Sequence, residues 1–251
     1  SVASATIGVS VSVDTTTDVV TLTRDGSGVA TPANSVVTIE LNGVTNPPYA
    51  GATTTYGLST TTASGVLIDE GTAAQSTFVA ATLAAASVAL TDGGENINAH
   101  STSAKPMQLT FTTTNVLPKD GKIKLTLPSE FQDISTADVK AATASDNIDG
   151  SFLVTTSGSV ITMTRLKDGT DVSPSTQVTM YLTGVQNPAA SGKTGQYSVA
   201  TTTVFDAEID TKSSLAGSDI YGYLTPASLT FADLTVGVLT DVVVALSLIH
   251  I

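Results

Sequence analysis

The side chains that could do chemistry in this sequence are mainly carboxylates. They include two groups, and within each group the carboxylates are close enough along the chain to bind one metal ion together. Asp92 and Glu95 form the first group, and Asp206, Glu208 and Asp210 form the second. Calcium takes several oxygen ligands, although neither group has the spacing of an EF-hand loop. These five residues are the candidate calcium ligands, and the alternative is that they are ordinary turn and surface carboxylates.

The residues that most enzymes use for acid–base or nucleophilic catalysis are scarce. The chain has no cysteine and only 2 histidines, His100 and His250. Neither histidine has the spacing of a metal site or a nucleophile motif, and no glycine-rich phosphate loop opens a helix. The absence of cysteine excludes disulfides, a thiol nucleophile and a cysteine-ligated zinc site. The sequence therefore predicts a protein that is not an enzyme, with no catalytic residue and no cofactor other than calcium.

The charge pattern excludes one class of partner. Only 13% of the residues are charged, and 22 acidic against 10 basic residues give a net charge of −12. No segment collects enough lysine or arginine to neutralise a run of phosphates, so nucleic acid is not expected to bind. The most apolar stretch, residues 236–251, is interrupted by Asp241 and is shorter than the ~20 residues of a membrane span. It is predicted to be a strand, with the beginning of a membrane or lipid-anchor tail as the alternative.

An internal repeat is the strongest signal in the sequence. Residues 37–47, VTIELNGVTNP, return as residues 178–188, VTMYLTGVQNP, at an offset of 141 residues. Between residues 37–62 and residues 178–203, 13 of 26 positions are identical without a gap. Similarity at one fixed offset indicates that a structural unit has been duplicated. The predicted units are the C-terminal part of a first module (residues 1–84), a complete module (residues 85–225) and the start of a truncated third module (residues 226–251).

Strands are predicted where apolar and polar residues alternate. Within the complete module the predicted strands number about seven, and they lie at residues 88–90, 107–111, 123–127, 152–154, 161–163, 178–182 and 197–203. Most of these strands have one apolar and one polar face, which is typical of two antiparallel sheets packed face to face. The predicted fold is therefore an all-β sandwich, repeated in tandem.

The longest connection in the complete module runs from residue 129 to residue 150. Its alanines and Lys140 favour a short helix, formed by Ala137, Lys140, Ala141 and Ala144 after a cap at Ser135 or Thr136. Because recognition residues are often carried by loops, the 129–150 loop is the candidate recognition segment.

Residues 120–131, DGKIKLTLPSEF, followed by residues 178–188 and 192–203, resemble the tandem immunoglobulin-like repeats of very large secreted surface proteins. Such proteins include microbial adhesins, surface-layer components and extracellular filaments of algae or protists. The resemblance covers nearly the whole chain and implies immunoglobulin-like antiparallel β-sandwich modules outside the cell. It departs from antibody domains, because the paired cysteines and the core tryptophan of those domains are missing. The motifs specify strands and turns, so no binding residue is carried over.

The expected function is structural. The chain is predicted to be a repeat segment of a secreted cell-surface or filament protein, with neighbouring repeats or copies of itself as partners. The alternative is an adhesin-type module that binds a glycan or a protein through the 129–150 loop.

Overall fold

The computed structural model describes residues 8–90, 107–131, 133–139, 146–221, 227–237 and 239–246. Every element within these residues is a β-strand, which confirms the all-β prediction. The chain divides into two compact units, residues 1–45 and residues 46–251. The predicted module boundaries at residues 84/85 and 225/226 stay predictions.

The first unit contains one antiparallel hairpin, formed by β1 (Val9–Asp14) and β2 (Val19–Arg24). The turn between the strands is closed by the Asp14 carboxylate, which accepts hydrogen bonds from the Thr16 amide (2.9 Å) and the Thr17 hydroxyl (2.8 Å). These bonds hold the pKa of Asp14 below its usual value, the Thr17 hydroxyl having the largest effect. The valines of this hairpin are exposed.

The second unit begins with short antiparallel pairs. Strand β4 pairs with β5, and β3 pairs with β6. The bounds are β3 (Gly51–Ala52), β4 (Tyr56–Thr61), β5 (Leu67–Ala73) and β6 (Thr77–Phe78).

Residues 81–220 of the same unit form the element that we call the sandwich. Its strands are β7 (Ala81–Thr82), β8 (Ala84–Leu90), β9 (Met107–Thr112), β10 (Lys122–Thr126), β11 (Asp138–Val139), β12 (Phe152–Ser157), β13 (Val160–Arg165), β14 (Gln177–Thr183), β15 (Gly192–Lys193), β16 (Tyr197–Thr202), β17 (Glu208–Leu215) and β18 (Asp219–Ile220). Another antiparallel hairpin follows, made of β19 (Ala227–Phe231) and β20 (Val242–Leu246). Strand β20 lies in the apolar C-terminal stretch that was predicted to be a strand.

Two sheets carry the core of the sandwich. One has the order β12-β13-β10-β16-β17-β7, and the other has the order β11-β14-β9-β8. A single cluster of buried side chains takes residues from both sheets, including Phe111 and Val178 from one and Leu125 and Met163 from the other. The two sheets therefore share one hydrophobic core, as in a β-sandwich.

The predicted alternation of buried and exposed residues is confirmed in the central strands. Strands β9, β10, β13 and β14 each bury every second residue and leave the residues between them partly exposed. This period of two follows from the pleat, since successive side chains of a strand point to opposite faces of the sheet. Leu109, Ile123, Ile161 and Leu182 are all fully buried as a result.

The sequence did not predict β17, because this strand lacks a clear alternation. Its buried positions include Ile209, Asp210 and Leu215, so a charged residue occupies a core position and breaks the pattern. The pairing of β16 with β17 also contains two register shifts. A bulge of this kind moves later side chains out of a strict period of two.

The prediction of a helix in the 129–150 loop is wrong for its first residues. Asp138 and Val139 form β11 and pair with Thr183 and Leu182 of β14. An additional strand partner therefore overrides the modest helix preference of the segment. Residues 140–145, which include the rest of the predicted helix, lie outside the described residues.

The turn after β14 depends on Gly184. This residue has φ of 72°, in the left-handed region that glycine adopts without strain. A β-carbon built on Gly184 would collide with the carbonyl oxygen of Thr136. Gly43, at the equivalent repeat position, also has a positive φ of 79°.

The hairpins β4–β5 and β16–β17 have closely similar backbones. Their bounds differ by the repeat offset at Tyr56 and Tyr197, and Gly65 (φ 81°) corresponds to Asp206 (φ 67°) in the turns. The paired residues are Leu58 with Gly71, Ser59 with Glu70 and Thr60 with Asp69 in the first hairpin, and Val199 with Lys212, Ala200 with Thr211 and Thr201 with Asp210 in the second. A register shift follows Thr60 in one and Thr201 in the other.

The two hairpins differ in burial. Tyr197 is 1% exposed, whereas Tyr56 is 43% exposed. Strand β16 lies between β10 and β17, while β4 pairs only with β5 among the described residues. The burial of Tyr197 therefore accompanies the presence of β10 beside β16. The pairing at the two tyrosines also differs, since the register shift between Tyr197 and Val199 has no counterpart in the first hairpin.

We expect Tyr197→Ala to lower the free energy of unfolding by about 3–5 kcal/mol, because it removes a buried aromatic ring from the core. The ring of Tyr197 lies 5.8 Å from that of Phe131, centroid to centroid, and its hydroxyl is 2.9 Å from the Ser218 hydroxyl. The matched control is Tyr56→Ala, for which a loss below about 1 kcal/mol is expected since the ring is exposed. Urea unfolding followed by circular dichroism measures both, and equal losses would contradict the assignment of the core.

Candidate functional site

The predicted calcium ligand Asp206 is engaged by lysines. It lies in the turn between β16 and β17, and its two carboxylate oxygens are each 2.8 Å from a lysine ammonium, those of Lys122 and Lys124 on β10. These bonds lower the pKa of Asp206, the hydrogen bond from Lys122 having the largest effect. The side chain is 51% exposed, so the pairs contribute little to stability.

The structure does not bring the second group of candidate ligands together. Glu208 is exposed, whereas Asp210 is fully buried. Within the described residues, no three acidic or histidine side chains are placed to hold a metal ion. The first group, Asp92 and Glu95, lies outside the described residues, so calcium binding there stays a prediction.

Asp210 connects the two sheets of the sandwich. Its Oδ2 accepts hydrogen bonds from the amides of Thr114 and Asn115, both at 3.0 Å, and its Oδ1 accepts one from the Asn115 side-chain amide at 2.8 Å. Thr114 and Asn115 follow β9 in the four-stranded sheet, while Asp210 lies on β17 in the six-stranded sheet. A buried carboxylate that accepts several N–H donors is satisfied without a metal ion.

The same region holds β7 against the sandwich. Strand β7 pairs with β17 in parallel, Ala81 opposite Asp210 and Thr82 opposite Thr211. The amide of Leu83 donates to the carbonyl of Thr211 at 3.0 Å, and the hydroxyl of Thr114 donates to the carbonyl of Thr82 at 2.6 Å. We call β7 and β17 the terminal strand pair, because they are the first strand of the sandwich and its last long strand.

Leu83 anchors this pair in the core. It is fully buried and belongs to the hydrophobic cluster that both sheets share. The chain thus passes from β7 in the six-stranded sheet through Leu83 to β8 in the four-stranded sheet. One continuous segment therefore contributes to both sheets at the place where the chain enters the sandwich.

A buried arginine organises the loops at another part of the sandwich. The Arg165 guanidinium donates to the carbonyls of Pro118 (2.9 Å) and Thr170 (2.6 Å) and to the Asp149 carboxylate (3.1 Å). Burial lowers the pKa of Arg165, and the charge of Asp149 opposes that effect. The pKa of Asp149 is lowered chiefly by the hydrogen bond from the Thr170 amide. The positive charge of Arg165 lowers it further. The side chain therefore fixes loops that are distant in sequence.

The role of Arg165 was not predicted, although the sequence contained a signal for it. Arg165 and Arg24 are separated by the repeat offset, in a chain that has only 10 basic residues. Its position at the end of an alternating strand, where Arg165 is 2% exposed, could have indicated a buried hydrogen-bonding role.

The described part of the 129–150 loop is attached to the sandwich at both ends. Glu130 accepts a hydrogen bond from the Gly195 amide at 2.9 Å, and it lines a groove of about 230 Å³ together with Ile220 and residues 188–194. At the other end, Asn147 donates its side-chain amide to the carbonyl of Gln177 at 2.8 Å. Recognition of a glycan or a protein by this loop stays a prediction.

The described residues contain no helix with the length and apolar character that a membrane crossing requires.

We expect Arg165→Ala to lower the free energy of unfolding by about 3 kcal/mol, because it removes a buried side chain whose guanidinium donates hydrogen bonds to loop carbonyls. The control is Arg24→Ala at the equivalent repeat position. Arg24 is exposed and has one hydrogen bond, to the Val29 carbonyl at 3.0 Å, so a change within about 0.5 kcal/mol is expected. Denaturant unfolding measures both, and a neutral Arg165→Ala would show that the buried network does not stabilise the sandwich.

Asp210→Ala should also destabilise the sandwich, by more than about 2 kcal/mol, because three N–H donors lose their acceptor. The control is Asp69→Ala at the equivalent repeat position. Asp69 is exposed, and its carboxylate accepts one hydrogen bond, from the Thr60 hydroxyl at 3.1 Å. Thermal unfolding followed by circular dichroism compares them, and a similar small effect of both changes would rule out the proposed role of Asp210.

Comparisons with known proteins do not assign a family to this chain. A scan against protein-family models finds no match, and a search of the curated proteins finds no significant similarity. The function is therefore inferred from the order of the strands, the terminal strand pair and the buried polar groups.

Proposed function

We propose that this chain is a non-catalytic structural segment of an extracellular surface or filament protein, built from immunoglobulin-like modules in tandem. The observation that carries the proposal is the parallel pairing of β7 with β17. The partners of each module are its neighbours in the chain or other copies of it, and the acidic surface keeps such assemblies soluble.

The order of the strands supports an immunoglobulin-like module. Such modules have strands A, B, E and D in one sheet and C, F and G in the other. The order β8-β9-β14-β11 corresponds to A-B-E-D, and the order β10-β16-β17 corresponds to C-F-G. The hairpin β12–β13 is an addition beside β10, at the edge where variable-type domains also carry extra strands.

The tandem arrangement is supported by the sequence repeat and by strand positions. Strands β2, β3 and β4 have bounds that differ from those of β13, β15 and β16 by the repeat offset. Only residues 79 and 80 separate β6 from β7, and β7 already belongs to the sheet of the sandwich. Consecutive modules joined in this way have no free linker between them, which favours a stiff array over independent domains.

Parallel terminal strands suit a protein that is under tension. In a parallel pair the start of one strand and the end of the other lie at opposite ends of the sheet. The chain therefore enters the sandwich at one end through β7 and leaves β17 at the opposite end. Tension along the chain slides the two strands past each other and loads their hydrogen bonds together, because these bonds run across the strands.

We expect Ala81→Pro to lower the force at which the sandwich unfolds, because proline removes an N–H group from β7 and does not fit a strand ladder. The measurement is single-molecule force spectroscopy on the 251-residue chain, held at its two termini. The control is Thr155→Pro in β12, an edge strand of the same sheet that lies outside the terminal strand pair.

The Thr155→Pro variant should unfold at a force closer to that of the unmodified chain. If Ala81→Pro leaves the unfolding force unchanged, the terminal strand pair does not carry tension and the structural proposal loses its main support.

A further inference from the structure

Strand β17 is attached along one edge to two separate segments of the chain. It lies between β16 and β7 in the six-stranded sheet. On the β7 side it makes a further contact, since the amide of Ala50 donates to the carbonyl of Glu208 at 2.6 Å. Ala50 lies far before β7 in the chain, on the other side of the β4–β5 hairpin. The two segments together cover an eight-residue strand that would otherwise be an exposed sheet edge.

A short strand pair connects these two segments. Strand β3 directly follows Ala50 and pairs with β6, and only two residues separate β6 from β7. The amide of Thr53 donates to the Ser76 carbonyl at 2.8 Å, and the amide of Ser76 donates to the Thr53 hydroxyl at 3.0 Å. We call residues 50–53 and 76–78 the bracket. It closes the base of the β4–β5 hairpin and links the two attachments to β17.

Burial in this part of the chain is concentrated in the bracket. Ala50, Thr53 and Phe78 are partly buried, whereas residues 41–49 and 54–60 are exposed. The shielded positions are therefore those that hold the bracket together and those that attach it to β17.

The same bracket occurs a second time in the chain. Strand β15 pairs with β18, the amide of Thr194 donates to the Ser218 carbonyl at 2.9 Å, and the amide of Ser218 donates to the Thr194 hydroxyl at 2.9 Å. Thr194 is separated from Thr53 by the repeat offset. Gly51 and Gly192, at equivalent positions, have similar positive φ angles of 151° and 137°. The bracket is therefore a feature of the repeat.

Two attachments constrain the connection between β6 and β7, which we call the joint. The carbonyls of Glu208 and Thr211 accept the amides of Ala50 and Leu83. These two carbonyls lie three residues apart on β17, which corresponds to about 10 Å at the rise of a β-strand. One attachment alone leaves the bracket free to rotate about the joint. With the second attachment in place, rotation has to break a backbone hydrogen bond.

We propose that the bracket fixes the angle between consecutive modules, because it attaches the end of one repeat to the β17 strand of the next at two points. The partner surface is the edge of β17 at residues 208–211, which is recognised by backbone hydrogen bonds. The inference rests on the tandem-module proposal and adds the contact that makes the joint rigid. The stiffness of the array then depends on Ala50 as well as on β7.

Distances between two spin labels test this proposal in the full chain. The chain has no cysteine, so the changes Ser59→Cys in β4 and Thr155→Cys in β12 create the only two labelling sites. Both positions are exposed, and they lie on opposite sides of the joint in the sequence. Double electron–electron resonance on the labelled chain should give one narrow distance distribution. A broad distribution in the chain that carries only the labels would overturn the proposal.

Ala50→Pro removes the amide that donates to Glu208. We expect it to broaden the distance distribution at least about twofold, because the joint then keeps only the attachment through β7. The matched control is Ser191→Pro, at the equivalent position of the other bracket, where the residue is exposed. It should leave the distribution unchanged. Equal distributions in the two proline variants would contradict the proposal.

Hydrogen exchange separates release of the joint from local unfolding. Backbone amides of residues 56–61 should exchange equally fast with and without Ala50→Pro if only the joint is released. If they exchange faster, Thr53→Val decides instead, since it removes the hydroxyl that accepts the Ser76 amide and keeps the Ala50 amide. Thr53→Val should also broaden the distribution, whereas Thr194→Val in the other bracket should not. Equal distributions in these two variants would reject the bracket as the element that fixes the joint.

The tandem-module proposal is tested independently by the unfolding force. A lowered force for Ala81→Pro together with an unchanged distance distribution for Ala50→Pro would reject the role of the bracket and leave the tandem-module proposal standing.

Discussion

The pairing of β7 with β17 is the constraint on which the rest of the sandwich depends. It places the first strand of the sandwich and its last long strand side by side in one sheet, and it brings Leu83 into the core that both sheets share. Asp210 reinforces the same place from within, because its carboxylate accepts the amides that follow β9 in the opposite sheet. Residues 81–83 and Asp210 therefore contribute together to strand pairing, to core packing and to the link between the sheets. Separating β7 from β17 would weaken all three at once.

Buried polar groups are important for the stability of this fold because the chain has no cysteine and therefore no disulfide. A secreted sandwich of the antibody type joins its sheets with a disulfide. Here the link between the sheets is made by hydrogen bonds to Asp210, and the loops around residues 118, 149 and 170 are held by Arg165. A carboxylate or a guanidinium is costly to bury, so each stabilises the fold only while all of its partners are in place. Such groups favour one arrangement of strands and loops over alternatives.

The sequence predicted the strands in which burial follows a period of two. It did not predict the strands in which burial lacks that period. Strands β9, β10, β13 and β14 were predicted because each has one apolar and one polar face. Strand β17 was missed because Asp210 is a charged residue at a core position. The sequence also does not show that Glu208 is exposed while Asp210 is buried, so the spacing of the carboxylates alone does not place them together. The parallel partner of β17 has only two residues, Ala81 and Thr82, which is too short for any periodic signal.

The two equivalent hairpins separate the effect of local sequence from that of neighbours. From Leu58 to Thr61 they share a backbone register, a bulge and a hydroxyl–amide hydrogen bond, so similar local sequence gives a similar hairpin. It is not sufficient to bury it, because Leu58 is exposed where Val199 is buried. The difference is β10, whose Leu125 lies opposite Val199. The burial of the second hairpin therefore depends on its packing against β10, and not on its own sequence alone.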